Sequence, residues 1–370
     1  MIITGLKFKN FRNLEDNHII PSDKMNIIMG DNGQGKTNLL ESIWMFNGVK
    51  SFRGSKDKEL VAFGEKSATL EIEFFSEDRQ QTAKLEFVNN KREAYINEIK
   101  KPAPSYLFGK ITSIVFSPEH LSLVKEGPNI RRKFIDSAIC QVKPKYSVYL
   151  ARYNKVLFQR NALLKDIAEH PQLVDTLDIW DRELAVNGSI IISERLKYIS
   201  LLSKIAGEYH SGISENREKL EIIYKNKYTP QTSLQEITTD FIKKLEAVRQ
   251  DDLNLRYTTK GPHRDDIGML INQRSARQFA SQGQQRSAVL SLKLAEATLV
   301  DQITGQQPVI LLDDVLSELD KERQSFLLNK IKDRQVFITC CDYFAEKLLE
   351  NGKVFFVNNG NVEEKINCLG

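Results

Sequence analysis

The sequence predicts an α/β fold: a phosphate-binding ATPase lobe, with a mixed sheet and an antiparallel β subdomain, joined to a second, mainly helical lobe without a long coiled coil. Three observations predict it. Gly30-Asp31-Asn32-Gly33-Gln34-Gly35-Lys36-Thr37 fills every fixed position of Gly-x-x-x-x-Gly-Lys-Thr, and it stands between an apolar run, Met25–Met29, and a helical pattern at 38–47. Strand-like runs recur through the first and last thirds of the chain. Between them, from about 130 to 248, the spacing turns helical and glycines become scarce.

Residues 7–14, 18–20 and 24–29 read as strands before the phosphate-binding loop. Residues 67–75 and 82–88 alternate with period two, as half-exposed antiparallel strands do. Asn89-Asn90-Lys91 is a turn signal, 93–99 reads as the returning strand, and 111–116 is a largely apolar strand closed by Ser117-Pro118. Helices are expected at 130–141, 146–169 and 173–207. Leu184, Ile191, Ile192, Leu196, Ile199, Leu202 and Ile205 would line one face of the last, either for packing within the lobe or for a partner. Helical spacing returns at 287–300. Val309–Leu312 and 335–339 read as buried parallel strands, and 354–358 with 362–366 as a hairpin through Asn359-Gly360-Asn361. Residues 1–117 and 287–370 are thus assigned to the ATPase lobe, and 118–286 to the helical lobe.

Composition narrows the class. The 370 residues are 28% charged and 41% hydrophobic, ordinary for a globular protein, with no apolar stretch long enough to cross a bilayer and no signal-peptide plan. Cys140, Cys340, Cys341 and Cys368 lack metal or redox spacing and read as reduced thiols of a cytoplasmic protein. The net charge of +4 is unevenly spread: residues 125–165 hold ten Lys or Arg against two acids, with Phe134, Tyr146, Tyr149, Tyr153 and Phe158 interleaved. Such a stretch suits a phosphate backbone, and equally a solvated face of amphipathic helices.

Further motifs complete the site. Loop amides at 30–35 would wrap phosphates, Lys36 would reach the β- and γ-phosphates, and the Thr37 hydroxyl would ligate Mg²⁺. Leu311-Leu312-Asp313-Asp314 ends a buried strand in paired carboxylates, a Walker B pattern in which Asp313 holds the metal and Asp314 orients the attacking water. Ser281-Gln282-Gly283-Gln284-Gln285-Arg286 opens a helix, and helix N-termini favour anions. With Ser317-Glu318-Leu319-Asp320 after Walker B, these motifs resemble the signature and D-loop of ATP-binding-cassette (ABC) ATPases. That resemblance implies that Ser281, Gly283 and Gln284 close over ATP held by a second subunit, so that ATP joins two heads and hydrolysis releases them.

Phe8-Lys9-Asn10-Phe11-Arg12-Asn13 resembles the opening of the SMC-like branch, and places Arg12 and Asn13 beside the nucleotide. Pro118-Glu119 with Gly127-Pro128-x-x-Arg131-Arg132-Lys133-Phe134-Ile135-Asp136, and Gly261-Pro262-His263-Arg264-Asp265-Asp266, resemble hallmarks of the bacterial RecF family over essentially the whole chain. The resemblance implies an ATP-dependent homodimer that binds double-stranded and gapped DNA. It implies weak, DNA-stimulated ATP hydrolysis and work with RecR and RecO to load RecA in DNA repair, recombination, replication restart and the SOS response, in a cytoplasmic, nucleoid-associated setting. It also adds weight to Arg131, Arg132, Lys133, Lys143, Lys145 and Arg152 as DNA contacts. Three positions depart from many ABC heads: Asp314 stands for the usual glutamate, Thr339-Cys340-Cys341-Asp342 has no switch histidine, and Ser117-Pro118-Glu119 has no clear Q-loop glutamine. His263 is either a base or part of a turn. The alternatives are another SMC-like ATPase with a structural DNA role, which would need hundreds of coiled-coil residues, and an ABC transporter subunit, which usually has the missing histidine and Q-loop.

Overall fold

The computed structural model describes residues 1–48, 50–340 and 352–365. The expectations for Cys341, Asp342, Ile366 and Cys368 lie outside them. The chain divides into two compact units, Met1–Leu121 with Gly212–Glu215 and Gln282–Gly370, and Ser122–Ser211 with Asn216–Ser281. The edges therefore fall at 121/122 and 281/282, so Ser281 ends one unit and Gln282 resumes the other.

The first unit holds two six-stranded sheets. In one, Asn17–Ile19, Ile2–Lys9, Ser67–Ser76, Arg79–Val88, Lys91–Ile96 and Ile99–Lys101 lie side by side, all antiparallel. In the other, Asn361–Glu364 pairs antiparallel with Gly352–Asn358; then Met25–Met29, Val336–Cys340, Val309–Leu312 and Ser113–Phe116 continue in parallel. Phe116, Leu312 and Ile338 are in register, and Met29 pairs with Cys340. These four strands therefore end along one sheet edge. Gly30, Ser117 and Asp313, each the next residue after its strand, gather there, at the usual ligand-binding edge of a parallel sheet. One apolar core joins the sheets: Phe8, Leu70 and Phe87 from the first, with Phe11 just after its Ile2–Lys9 strand, pack with Leu39, Leu311 and Phe337.

Local chemistry explains where expected bounds moved. The first strand runs Ile2–Lys9 rather than 7–14, because Asn10 (φ 51°) and Arg12 (φ 58°) turn the chain. Residues 93–99 split at Asn97 and Glu98, both at positive φ, into two strands. The terminal hairpin turns through Asn359 (φ 49°) and Gly360 (φ 89°), as a primed turn requires.

The second unit is helical around a three-stranded antiparallel sheet, Arg274–Ser275, Ile267–Ile271 and Leu220–Tyr224. Leu220–Tyr224 is a strand within the stretch, about 130 to 248, whose spacing reads as helical. Its short apolar run carries either period, and only the Ile267–Ile271 partner settles it. The long helix is Leu177–Ile213, preceded by a 3₁₀ segment, Pro171–Thr176. Leu184, Ile191, Ile192, Leu196, Ile199 and Leu202 are buried, so that face is core rather than a free docking stripe. Arg160, one of the bases in 125–165, is fully buried, donating to Asp181 (2.6 Å), Asp252 (2.8 Å) and Thr258 (2.8 Å). Cys140 is buried, which pushes its thiol up to about 12. No helix among the described residues is long and apolar enough to cross a membrane.

Candidate nucleotide site and basic helix face

The phosphate-binding loop takes backbone angles that its glycines permit. Gly30 (φ 151°) leaves the Met25–Met29 strand so close to its neighbour that a Cβ would fall 2.2 Å from the Val357 carbonyl oxygen. Gly35 (φ 120°) precedes the helix Lys36–Trp44, whose first amides lack intrahelical partners and suit an anion. Asp31, Asn32 and Gly33 are exposed; Gln34 is held by the hairpin, its carbonyl accepting from Gly360 N (3.0 Å). Lys36 is buried and donates to the Gly30 (2.7 Å) and Asp31 (3.1 Å) carbonyls, folded across the loop. Asn13 Nδ2 donates to the Gln34 carbonyl (3.3 Å), and Asn38 Nδ2 donates to Asn13 Oδ1 (2.6 Å). Arg12, which the resemblance sets beside the nucleotide, is held by its protein neighbours. Its guanidinium donates twice to the buried Glu41 (2.9 and 3.1 Å) and also to Ser55 Oγ and the Glu59 carbonyl. It braces the loop that comes after the Lys36–Trp44 helix rather than standing free for phosphate.

The paired acids meet the loop. Thr37 Oγ1 donates to Asp313 Oδ1 (2.8 Å), so the two expected metal ligands are adjacent. Burial pushes the Asp313 carboxyl up to about 6; the neighbouring Asp314 charge adds to this, while the Thr37 and Thr339 hydrogen bonds and Arg53 oppose it. Asp314 sits at φ 51°, and its amide donates to Thr339 Oγ1 (2.9 Å). That hydroxyl lies 3.2 Å from Asp313 Oδ1 and 3.3 Å from Asp314 Oδ1, so one threonine bridges both carboxylates. From sequence, Thr339 is no more than a weak stand-in for a histidine. Sequence patterning misses Arg53 altogether: this exposed arginine donates to Asn38 Oδ1 (3.0 Å) and its charge reaches Asp313. No pattern around Arg53 marks it, since its tie to Asn38 and Asp313 exists only in the fold.

The helix after Ser281 is Gln282–Thr304, starting earlier than the expected 287. Gly283 lies in its first turn, where amides are free in any case and glycine costs little. Arg286 pairs with Glu318, and Arg323 Nε donates to Ser287 Oγ (2.8 Å). Asp320 caps the helix Lys321–Ile331, accepting from Arg323 N (2.9 Å). The D-loop is thus tied to the start of the Gln282–Thr304 helix.

The basic stretch divides in two. Arg131 is buried, donating to Asp266 Oδ1 (2.9 Å) and to the Leu123 (3.3 Å) and Glu126 (2.7 Å) carbonyls, which corrects its expected DNA role: it is a structural ion pair. Arg132 is half-buried and donates to the Asp265 carbonyl (2.7 Å). Lys133 is exposed, and Lys143 pairs with Glu194 at 2.5 Å. Lys145, Arg152, Lys155 and Lys165 are exposed at helical spacing along Pro144–Asp166 and make no ion pair among the described residues. Arg131→Ala should cost about 3–5 kcal/mol in thermal unfolding, because it strands buried acceptors. Lys133→Ala should stay within about 0.5 kcal/mol. Equal melting of the two variants would reverse this assignment. His263 belongs to a turn: Nε2 donates to the Thr258 carbonyl (3.1 Å), so Nδ1 accepts from Tyr153 OH (2.6 Å), and burial pulls its pKa down to about 4.

Residues 2–363 match the family described as the RecF/RecN/SMC N-terminal domain. The chain is 41% identical over 373 residues to the DNA replication and repair protein RecF of Ruminiclostridium cellulolyticum, covering 98% of this chain and 99% of that one. It is 43% identical over 366 residues to RecF of Agathobacter rectalis, covering 98% and 99%. Among solved structures it resembles the recombination mediator protein RecF-ATPrS in the RecFOR pathway (TM-score 0.92, 35% identity, 98% of each chain). The Pyrococcus furiosus Smc head bound to the C-terminal domain of ScpA shares the fold (TM-score 0.56, 15% identity, 98% and 96% covered). A phosphate-binding loop at the edge of a parallel sheet, Asp313 against Thr37, and a D-loop tied to the signature helix make this an ABC-type ATPase head, and the chain belongs to the RecF family of the RecF/RecN/SMC group.

Proposed function

We propose that the chain is an ATP-dependent DNA-binding recombination mediator, a switch rather than a metabolic enzyme. The observation that carries this reading is the contact between Thr37 and Asp313 at the mouth of a glycine-rich loop, in a chain that also has a signature helix. ATP would lie with its phosphates on the amides of 30–37 and on Lys36, which turns away from the Gly30 and Asp31 carbonyls to meet them. Thr37 and Asp313 offer hard oxygen ligands of the kind Mg²⁺ takes with phosphate and water. When bound there, Mg²⁺ would supply charge neutralisation at the phosphates. Asp313 would have to be deprotonated to hold it, so metal-dependent binding should weaken below about pH 6. Asp314 orients the attacking water, and Thr339 holds both carboxylates in place. Ser281, Gly283 and Gln284 serve the ATP of a second subunit, so that ATP makes a homodimer and slow hydrolysis dissolves it.

Dimers form on double-stranded DNA at single-strand gaps and help RecR and RecO load RecA, in the cytoplasm at the nucleoid. The relatives named above, and a solved RecF-ATP structure (TM-score 0.92, 35% identity), support the nucleotide and the pathway. Hydrolysis measured with and without gapped DNA tests the switch; a rate indifferent to DNA would overturn it. Asp314→Asn should keep ATP bound while slowing hydrolysis by roughly 10²-fold or more, so that dimers accumulate in sedimentation. Normal turnover would place the base elsewhere.

The exposed cations of the Pro144–Asp166 helix are the surface proposed for duplex DNA. Replacing Lys145, Arg152, Lys155 and Lys165 by Glu should weaken duplex binding regardless of sequence and flatten the slope of log affinity against log salt by about 3–4. An unchanged slope would leave them as a solvated face.

A further inference from the structure

The Gly261-Pro262-His263-Arg264-Asp265-Asp266 segment of the helical unit is held from almost every side. Gly261 sits at φ 135°, where a Cβ would fall 2.5 Å from Tyr153 OH. The Pro262 carbonyl accepts from Arg195 (2.7 Å), whose guanidinium also donates to Asp136 (2.8 and 2.9 Å). Asp265 accepts from Tyr224 and from Asn226 (3.2 Å), and Asp266 accepts from Arg131 (2.9 Å) and Lys225 (3.0 Å). Together with the His263 bonds to Tyr153 and to the Thr258 carbonyl, these contacts account for five of the six residues as structure. They do not account for Arg264, which is exposed with its guanidinium 5.0 Å from the ring centre of the part-exposed Tyr257, nor for Lys260 beside the segment. Neither makes an ion pair among the described residues. Fixed backbone presenting unpaired cations is how a binding site is pre-organised.

Lys260 and Arg264 line a cavity of ≈ 430 Å³ together with Lys244, Asn226, Tyr228 and Phe241. That volume is in the range of small-ligand sites. Cations in the lining suit a phosphate, and the largely buried Tyr228 and Phe241 rings form part of the wall. A base stacked inside a duplex cannot enter such a hollow, whereas an unstacked one can. We infer that this cavity binds one nucleoside phosphate unit, its base in the cavity and its phosphate on Lys260 and Arg264, taken from single-stranded DNA or from a free nucleotide. The site is separate in sequence from the P-loop and from the cations of the Pro144–Asp166 helix. It rests on the nucleic-acid reading above and adds to it a pocket for the unpaired strand.

The test uses the full chain without ATP and measures anisotropy of a labelled ten-nucleotide oligo-dT, of a duplex, and competition by dTMP. K260Q/R264Q should weaken oligo-dT binding at least tenfold, leave duplex binding within twofold, and leave ATP binding and melting unchanged. Ala247→Trp keeps every charge but fills the cavity from its lining, and should weaken oligo-dT binding alike. Competition by dTMP that the double variant abolishes would assign a free nucleotide as a ligand, and its absence would assign the strand alone. Unchanged oligo-dT affinity in either variant, or an equal loss for duplex, overturns the pocket. A wild type that binds duplex but not oligo-dT overturns the pocket only, and one that binds oligo-dT but not duplex overturns the earlier DNA surface only.

Discussion

Lys36→Ala should lower ATP turnover by roughly 10²–10³-fold and weaken ATP binding, while the protein melts within about 1 kcal/mol of wild type. The asymmetry comes from the position of Lys36 in the free protein. Its ammonium donates to the Gly30 and Asp31 carbonyls, on a loop that is partly open to water. Removing it leaves those acceptors to solvent. With phosphates on the loop, the same ammonium would be the nearest positive side-chain charge to the bond that breaks, and nothing else on the loop is cationic. Lys36→Arg keeps the charge but replaces a compact ammonium with a planar fork, on a side chain that is already buried, so hydrolysis should suffer more than binding. Turnover by Lys36→Ala at the wild-type rate would remove the P-loop from the mechanism.

How far the site was legible depended on whether its parts were local. Met25–Met29, the loop and the helix after it were readable because strand period, glycine spacing and helix start lie within a few residues. Val309–Leu312 was readable because four consecutive apolar residues end in two acids, a local pattern that core packing alone does not call for. Thr339 could not be weighed properly, because its value lies in reaching two carboxylates on a neighbouring strand, and strand order is invisible in one sequence. Arg131 misled for the same reason. A count of bases registers its charge but not Asp266, which lies far along the chain and cancels it. Arg160 raised the local charge in the same way while being buried between Asp181 and Asp252. In the fold, Leu220–Tyr224 was missed because a five-residue apolar run takes its identity from its partner strand. The part of this basic stretch that stays on the surface is therefore narrower than the sequence suggests: one helix face rather than a whole segment.

Ser281→Arg tests the composite site most sharply. Ser281 directly precedes the Gln282–Thr304 helix and is exposed, so a larger side chain there meets solvent rather than core, and the fold should tolerate it. In the proposed dimer that same position faces the γ-phosphate of the other subunit's ATP. The first-turn amides offer a partial positive charge there, and an arginine would fill the space that the phosphate needs. ATP binding to the monomer should therefore remain near wild type, since Gly30 to Thr37 and Asp313 are untouched. The ATP-dependent shift from monomer to dimer should vanish, and hydrolysis with its stimulation by DNA should fall by about 10²-fold or more. Mixing Ser281→Arg with Lys36→Ala subunits should restore part of the activity. In that heterodimer one site joins the intact P-loop of the first variant to the intact signature of the second, while the other site carries both lesions. Sedimentation with and without ATP, followed by turnover of the mixture, reads both effects. Dimerisation of Ser281→Arg on ATP would reduce Ser281 to Arg286 to the capped start of a helix; loss of activity without rescue in the mixture would mean that each subunit completes its own site.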